Sequence, residues 1–202
     1  MNSSNLTEER PAPSAVNLPN ALTVLRLVLV PVFLWLLLLN TPVTRWWALA
    51  VFVVAAYTDH LDGHIARKQG IITNFGKLAD PIADKFLTLG AFVALSILGD
   101  LTWWFTVIVA VREIGITVLR EFLRRRGTVV AASSGGKLKT VLQMLLIFLL
   151  VIPWTSFATQ LVLQLLLILI WVVALAALIV TVWSGAQYVL VATNAMKTQA
   201  GD

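Results

Sequence analysis

Cysteine is missing altogether from the 202 residues, so disulfide frameworks and thiolate metal centres are both excluded. Only two histidines occur, His60 and His64, which leaves little for a histidine-built zinc site. Charge is scarce: Asp, Glu, Lys and Arg make up 12% of the chain, where an ordinary soluble domain has about 25%. Apolar residues fill the gap. Hydrophobic side chains account for 59% of the sequence, and mean hydropathy is +0.88. A globule of this length has too little interior to hide so much apolar surface from water, and a disordered chain carries far less of it. Composition therefore specifies an all-α, polytopic membrane protein.

The apolar residues fall into six runs. The first covers residues 20–39, and at about 1.5 Å per residue it crosses roughly 30 Å of hydrocarbon; Asn40-Thr41-Pro42 closes it. The second stays apolar from Thr44 to Tyr57 and ends near Arg67-Lys68-Gln69-Gly70. The third starts between Asn74 and Pro81 and reaches Leu98, with Gly99-Asp100 as its turn. The fourth runs from Leu101 through Arg112, Glu113, Arg120 and Glu121 to Arg124, Arg125, Arg126 and Gly127. From Thr140 to Asn194 no charged residue occurs. That stretch is too long for one span, and Pro153-Trp154-Thr155-Ser156 is the expected hairpin within it. The expected organisation is a polar cytoplasmic arm at 1–19, a six-helix transmembrane domain at 20–194 and a cytoplasmic tail at 195–202. The arm holds Glu8, Glu9 and Arg10 without the apolar centre of a signal peptide.

The net charge of +5 comes from bases set between apolar runs, a pattern of membrane topology rather than of nucleic-acid binding. Arg45 is the sole base in the first, third and fifth connections. The other side holds Arg10, Lys68, Lys77, Arg124, Arg125, Arg126, Lys137, Lys139 and Lys197, which puts both termini in the cytoplasm. Trp46, Trp47, Trp103 and Trp104 are expected in interfacial belts. The arginines at 124–126 read as topology determinants touching anionic headgroups.

Ten residues are acidic, and four of them, Asp59, Asp62, Asp80 and Asp84, lie within 26 residues of one another beside apolar runs. An ionised carboxylate at membrane depth costs at least about 2.5–3.5 kcal/mol and marks function by default. On a helix Asp59, Asp62 and Ala66 share one face, as do Gly76, Asp80 and Asp84 on the next. Four carboxylates aimed at one point need a positive partner. Hard oxygen donors without His or Cys suit Mg²⁺ or Mn²⁺, and four of them hold two such ions with positions left for phosphate oxygens. The bland alternatives are local: Asp80-Pro81 as an N-cap followed by a first-turn proline, and Asp59 and Asp62 paired with Arg67 and Lys68 at a helix end.

The string Asp59-x-x-Asp62-Gly63-x-x-Ala66-Arg67, eight further residues, then Gly76-x-x-x-Asp80-x-x-x-Asp84 resembles the signature of the CDP-alcohol phosphotransferases at all eight specified positions. Asn20-Ala21-Leu22-Thr23-Val24-Leu25-Arg26, Arg112-Glu113-Ile114 and Gly136-Lys137-Leu138-Lys139-Thr140 with Gln143 are similar to the bacterial phosphatidylglycerophosphate synthases of that family. The resemblance covers residues 18–143; the last two helices match in hydrophobicity alone. It implies a homodimer of six-helix protomers in a bacterial plasma membrane, with the site open to the cytoplasm. It implies two Mg²⁺ or Mn²⁺ ions on Asp59, Asp62, Asp80 and Asp84, and Asp84 as acceptor of the attacking hydroxyl's proton. Gly63, Arg67 and Thr73 then contact the donor, CDP-diacylglycerol, with Ala66 and Gly76 beside them. Glycine suits a backbone that approaches a nucleotide closely, and Arg67 suits paired phosphate oxygens. Asn20 and Thr23 either cap the first helix or line the donor site.

The signature leaves the alcohol open. Arg112 follows an uncharged run and is expected inside the bundle, with Arg120 on about the same face; Lys137 and Lys139 begin helix five. A phosphorylated acceptor needs such cations, so Arg112, Lys137, Lys139 and Arg120 are the candidates for the phosphate of glycerol 3-phosphate. Lys137 and Lys139 also read as topology determinants, and Arg112 as a structural partner of Glu113. Competing readings are a sister synthase using inositol phosphate or phosphatidylglycerol, a cation transporter built on the four aspartates, and a membrane scaffold, which leaves the acidic cluster unexplained.

Overall fold

The computed structural model describes residues 18–69, 74–126 and 134–200, with side-chain surroundings for 20–58, 82–126 and 135–196. Residues 1–17 of the expected arm, Thr73 and the last residues of the expected tail lie outside the described residues, and Leu18 and Pro19 of the arm begin the first helix. Among the described residues six α-helices follow one another: α1 (Leu18–Leu38), α2 (Pro42–Gln69), α3 (Asn74–Ile97), α4 (Trp103–Arg125), α5 (Ser134–Val151) and α6 (Gln160–Ala200). The short connections make successive helices antiparallel.

Local chemistry sets each turn. Asn40 leaves α1 in the left-handed region at φ 53°, a conformation asparagine tolerates better than most side chains. Pro42 opens α2 where its missing N–H costs nothing. Thr41 caps that helix by accepting from the Thr44 N–H at 3.2 Å, while Thr44 Oγ1 accepts from the Thr41 N–H at 3.0 Å. Gly99 reverses the chain after α3 at φ 81°. A single 3-10 turn, Trp154–Ser156, separates α5 from α6 at the expected hairpin.

Arg45 ties these three turns together. Its guanidinium pairs with Asp100 of the α3–α4 turn, donates to Asn40 Oδ1 at 2.8 Å and donates to the Leu150 carbonyl at 3.1 Å near the end of α5. The lone base on that side of the sequence is thus absorbed by the fold. A cavity of about 640 Å³ lies under these turns, lined by Arg45, Asp100, Trp154 and Trp171 among others. It sits at the start of α2, the end opposite the aspartate motif.

α1 packs against both α2 and α3 and so holds them together. Phe33 and Leu37 of α1 join Phe52 and Ala55 of α2, Leu87 and Phe92 of α3, and Ile147 of α5 in one core. Phe33 and Phe52 lie 5.5 Å apart, and Phe92 meets Phe105 of α4 nearly edge-on at 5.4 Å. Ala48, Ala55, Ala91 and Ala177 are fully buried, and such small residues let helices approach closely in lipid.

The outside is as apolar as the inside. Trp35, Trp183 and Leu190 are each 63% exposed, which fits a surface solvated by acyl chains. Among the described residues three stretches are long and apolar enough to cross a membrane: Asn20–Leu38, Gly135–Ser156 and Gln160–Met196. The other three helices carry the charged residues of the motif and its surroundings. Exposed Trp46 and Trp47 open α2, and exposed Trp103 and Trp104 open α4, all at the Arg45 end. The fold is that of an all-helical membrane protein.

Truncating the Phe92–Phe105 contact tests this core. Phe92→Ala should cost roughly 3–5 kcal/mol and lower the thermal midpoint in detergent. Phe86→Ala, at a side chain 62% exposed, should leave the midpoint unchanged.

Candidate active site

Backbone alone brings the motif to one end of the bundle. Asp59, Asp62, Gly63, Ala66 and Arg67 occupy the last turns of α2, Gly76 and Asp80 the first turns of α3, and Asp84 follows one turn on. The short 70–73 link keeps those helix ends near each other. The start of α1 lies at the same end. α3 begins at Asn74, so Asp80-Pro81 is inside the helix and Asp80 is not its N-cap. The side chains of Asp59, Asp62, Gly63, Ala66, Arg67, Gly76 and Asp80 lie outside the described residues, as does Thr73. Among the described residues no group of three metal-ligating side chains occurs.

Asp84 is the described member of the quartet. It is half-buried, and the Thr88 hydroxyl donates to its carbonyl at 3.0 Å. Asn20 and Thr23 are buried on the inner face of α1, at 6% and 1% exposure. α1 starts at Leu18, so neither caps it. Arg26, one turn further on the same face, is fully buried. A guanidinium is not placed there for packing alone, because its desolvation is costly.

A nearly buried charge cluster joins α4, α5 and α6. Glu113 Oε1 accepts from Arg112 Nη1 at 3.0 Å and from Lys139 Nζ at 2.6 Å. The three side chains are only 13%, 12% and 10% exposed for Arg112, Glu113 and Lys139. Two cations against one carboxylate leave positive charge inside the bundle. α4 and α5, which carry the cluster, both pack against α3, the helix of Asp84. Two more Arg112 donors are engaged: Nε donates to the Thr181 carbonyl at 3.2 Å and Nη2 to Ser184 Oγ at 2.8 Å on α6. Gln143 Nε2 donates to Thr181 Oγ1 at 3.1 Å.

The four cations expected for an acceptor phosphate therefore divide. Arg112 and Lys139 are brought together. Lys137 is exposed on α5. Arg120 is exposed, with its guanidinium 5.5 Å from the centre of the Tyr188 ring. The last turn of α4 holds a solvent-facing cluster in which Arg124 and Arg125 hydrogen-bond Glu121. Those bonds, Arg124's first, hold the Glu121 carboxyl down at about 2. This suits the topology role expected of the arginines at 124–126.

Sequence reasoning had no role for Arg26, Gln143, Thr181, Ser184 or Gly185, and treated Glu113 only as a partner for Arg112. A signal for the α6 residues existed: Thr181, Ser184 and Gly185 share one face of α6 and follow a run without polar residues from Leu165 to Val180.

Residues 16–183 match the family described as CDP-alcohol phosphatidyltransferase. The chain belongs to that family. A relative in Mycobacterium tuberculosis, named probable phosphatidylglycerophosphate synthase, is 47% identical over 86% of this chain and 80% of its own length. One in Haemophilus influenzae, named CDP-diacylglycerol–glycerol-3-phosphate 3-phosphatidyltransferase, is 35% identical over 89% of this chain and 95% of its own. A Bacillus subtilis protein of the same name is 36% identical over 64% of this chain and 73% of its own. The CDP-alcohol phosphatidyltransferase match extends to 183, so it takes in α5 and half of α6.

Removing the bridging carboxylate tests the charge cluster. Glu113→Ala should leave two buried cations facing each other, at a cost of roughly 3–5 kcal/mol. Thermal unfolding in detergent reads this directly, and Glu113→Gln, which keeps an acceptor oxygen, should lose less.

Proposed function

We propose that this chain moves the phosphatidyl group of CDP-diacylglycerol to glycerol 3-phosphate, giving phosphatidylglycerol phosphate and CMP. The observation that carries this reading is the inward-facing Arg112–Lys139 pair on helices packed against α3, since a neutral alcohol calls for no such cations. The names of the relatives support the same substrates. On this reading all six helices span a bacterial plasma membrane, residues 20–194 form the domain, and the arm at 1–19, the tail at 195–202 and the site face the cytoplasm. The working unit is a homodimer.

The donor set fits divalent ions: hard carboxylates on two neighbouring helix ends, with neither sulfur nor imidazole on the motif faces. Asp59, Asp62, Asp80 and Asp84 would hold two ions, Mg²⁺ or Mn²⁺, which when bound neutralise charge on the donor diphosphate. Arg67 pairs with phosphate oxygens, while Gly63, Ala66 and Gly76 leave room for the nucleotide, with Thr73, Asn20 and Thr23 on its border. Arg112 and Lys139 take the acceptor phosphate, with Lys137 and Arg120 drawing it in from the cytoplasm. Asp84 accepts the proton of the primary hydroxyl as its oxygen bonds to the phosphorus bearing diacylglycerol. The bond from that phosphorus to the bridging oxygen breaks, and CMP carries the oxygen away. Acyl chains stay in lipid between the helices throughout.

Purified protein should release CMP from CDP-diacylglycerol with glycerol 3-phosphate. It should release little with glycerol, inositol phosphate or phosphatidylglycerol, and none in excess EDTA. Equal rates with glycerol would remove the phosphate site from the account, and no CMP release with any alcohol would favour a transporter. Asp84→Asn should lose roughly 10²–10⁴-fold in turnover at an unchanged thermal midpoint; wild-type turnover would reject it as the base.

A further inference from the structure

α6 is the helix whose sequence offers least, yet one face of it is shaped around Arg112. Thr181, Ser184, Gly185 and Tyr188 recur at helical spacing and are all buried, whereas Val182, Trp183, Val189 and Leu190 between them are exposed. The Arg112 side chain from α4 lies across this face. Its Nε reaches the Thr181 carbonyl and its Nη2 reaches Ser184 Oγ, while Ser184 Oγ itself donates to Thr181 O at 3.1 Å. The stem passes directly over Gly185. A Cβ at that position would stand 3.1 Å from Arg112 Cγ and 3.4 Å from Nε. The first distance is short for two carbons, and the stem has little freedom to yield because its head is fixed by two α6 bonds and by Glu113. Gly115 and Gly136, helical as well, have nothing within 4 Å of such a Cβ. Eight residues along α4, Arg120 rests on the Tyr188 ring of the same α6 face.

We infer that Gly185 and Ser184 are positioning residues for the acceptor site: together with Thr181 they form a seat on α6 that aims the Arg112 guanidinium. The inference rests on the reading of Arg112 as a ligand of the acceptor phosphate. The missing side chain at 185 admits the arginine stem, and the Ser184 hydroxyl fixes the rotation of its head. With Nε and Nη2 held by α6, Nη1 is the donor turned toward Glu113 and Lys139, where an incoming phosphate has two cations to meet. Specificity for a phosphorylated alcohol is thereby set in part by a helix that contributes no charge.

Steady-state kinetics on the full chain test this. Gly185→Ala and Ser184→Ala should each raise KM for glycerol 3-phosphate roughly ten- to hundred-fold, the scale of one weakened charge-assisted hydrogen bond. KM for CDP-diacylglycerol should stay put. Gly115→Ala is the control with no effect. In an Arg112→Ala background, itself raised in KM, Gly185→Ala should add nothing, because it acts through that arginine. If Arg112→Ala raises KM while Gly185→Ala and Ser184→Ala do not, the seat is wrong and the phosphate reading stands. If Arg112→Ala leaves KM for glycerol 3-phosphate unchanged, the phosphate reading fails and the inference falls with it. Should Gly185→Ala not fold, Ser184→Ala, which only removes an oxygen, decides the matter.

Discussion

A carboxylate shared by two cations within an apolar bundle governs how this molecule is put together. Glu113 binds Arg112 of its own helix and Lys139 of α5, and Arg112 in turn binds α6. Three helices that have mostly apolar surface to offer one another are thereby locked in rotation and height. Hydrophobic burial cannot do this in lipid, where the surroundings are as apolar as the interior. Desolvated charge can, because any slip leaves an ion without its partner at a cost of several kcal/mol. The cluster still carries one cation more than it has carboxylates. In the proposed site the surplus cation meets the acceptor phosphate, while two divalent ions would offset the four carboxylates of α2 and α3.

The two ends of the bundle spend polar groups differently. At one end Arg45 is bound by Asp100, Asn40 and the Leu150 carbonyl, which closes three turns. At the other, Asn20, Thr23 and Arg26 are buried on the inner face of α1, the helix that packs on both motif-bearing helices. On the proposed reading Asn20 and Thr23 border the donor there.

Much of the fold was legible because its turns are written in residues with special backbone preferences. Asn40-Thr41-Pro42, Gly99-Asp100 and Pro153 through Ser156 fall at three reversals. The start of α3 at Asn74 is the early end of the expected range, so the alternative of Asp80 as an N-cap before Pro81 fails. The length of α6, which runs on through Ala200, was not legible; uniform hydropathy has no punctuation to read. In the site, the four aspartates stood out because carboxylates beside apolar runs are expensive. Arg112 and Lys139 stood out for the same reason, and they do meet. Gly185 and Ser184 did not, because a glycine and a serine are cheap in a membrane helix and their role exists only once Arg112 crosses them. Whether Lys137 and Arg120 join the phosphate cannot be read from spacing either, since both are exposed in this state.

The most direct measurement is anomalous diffraction from crystals grown with Mn²⁺, CDP-diacylglycerol and glycerol 3-phosphate. The account predicts two manganese peaks between the facing ends of α2 and α3, on Asp59, Asp62, Asp80 and Asp84, and the acceptor phosphate on Arg112 and Lys139. Manganese absent from those aspartates in crystals of active protein, or the phosphate bound away from that pair, would contradict it.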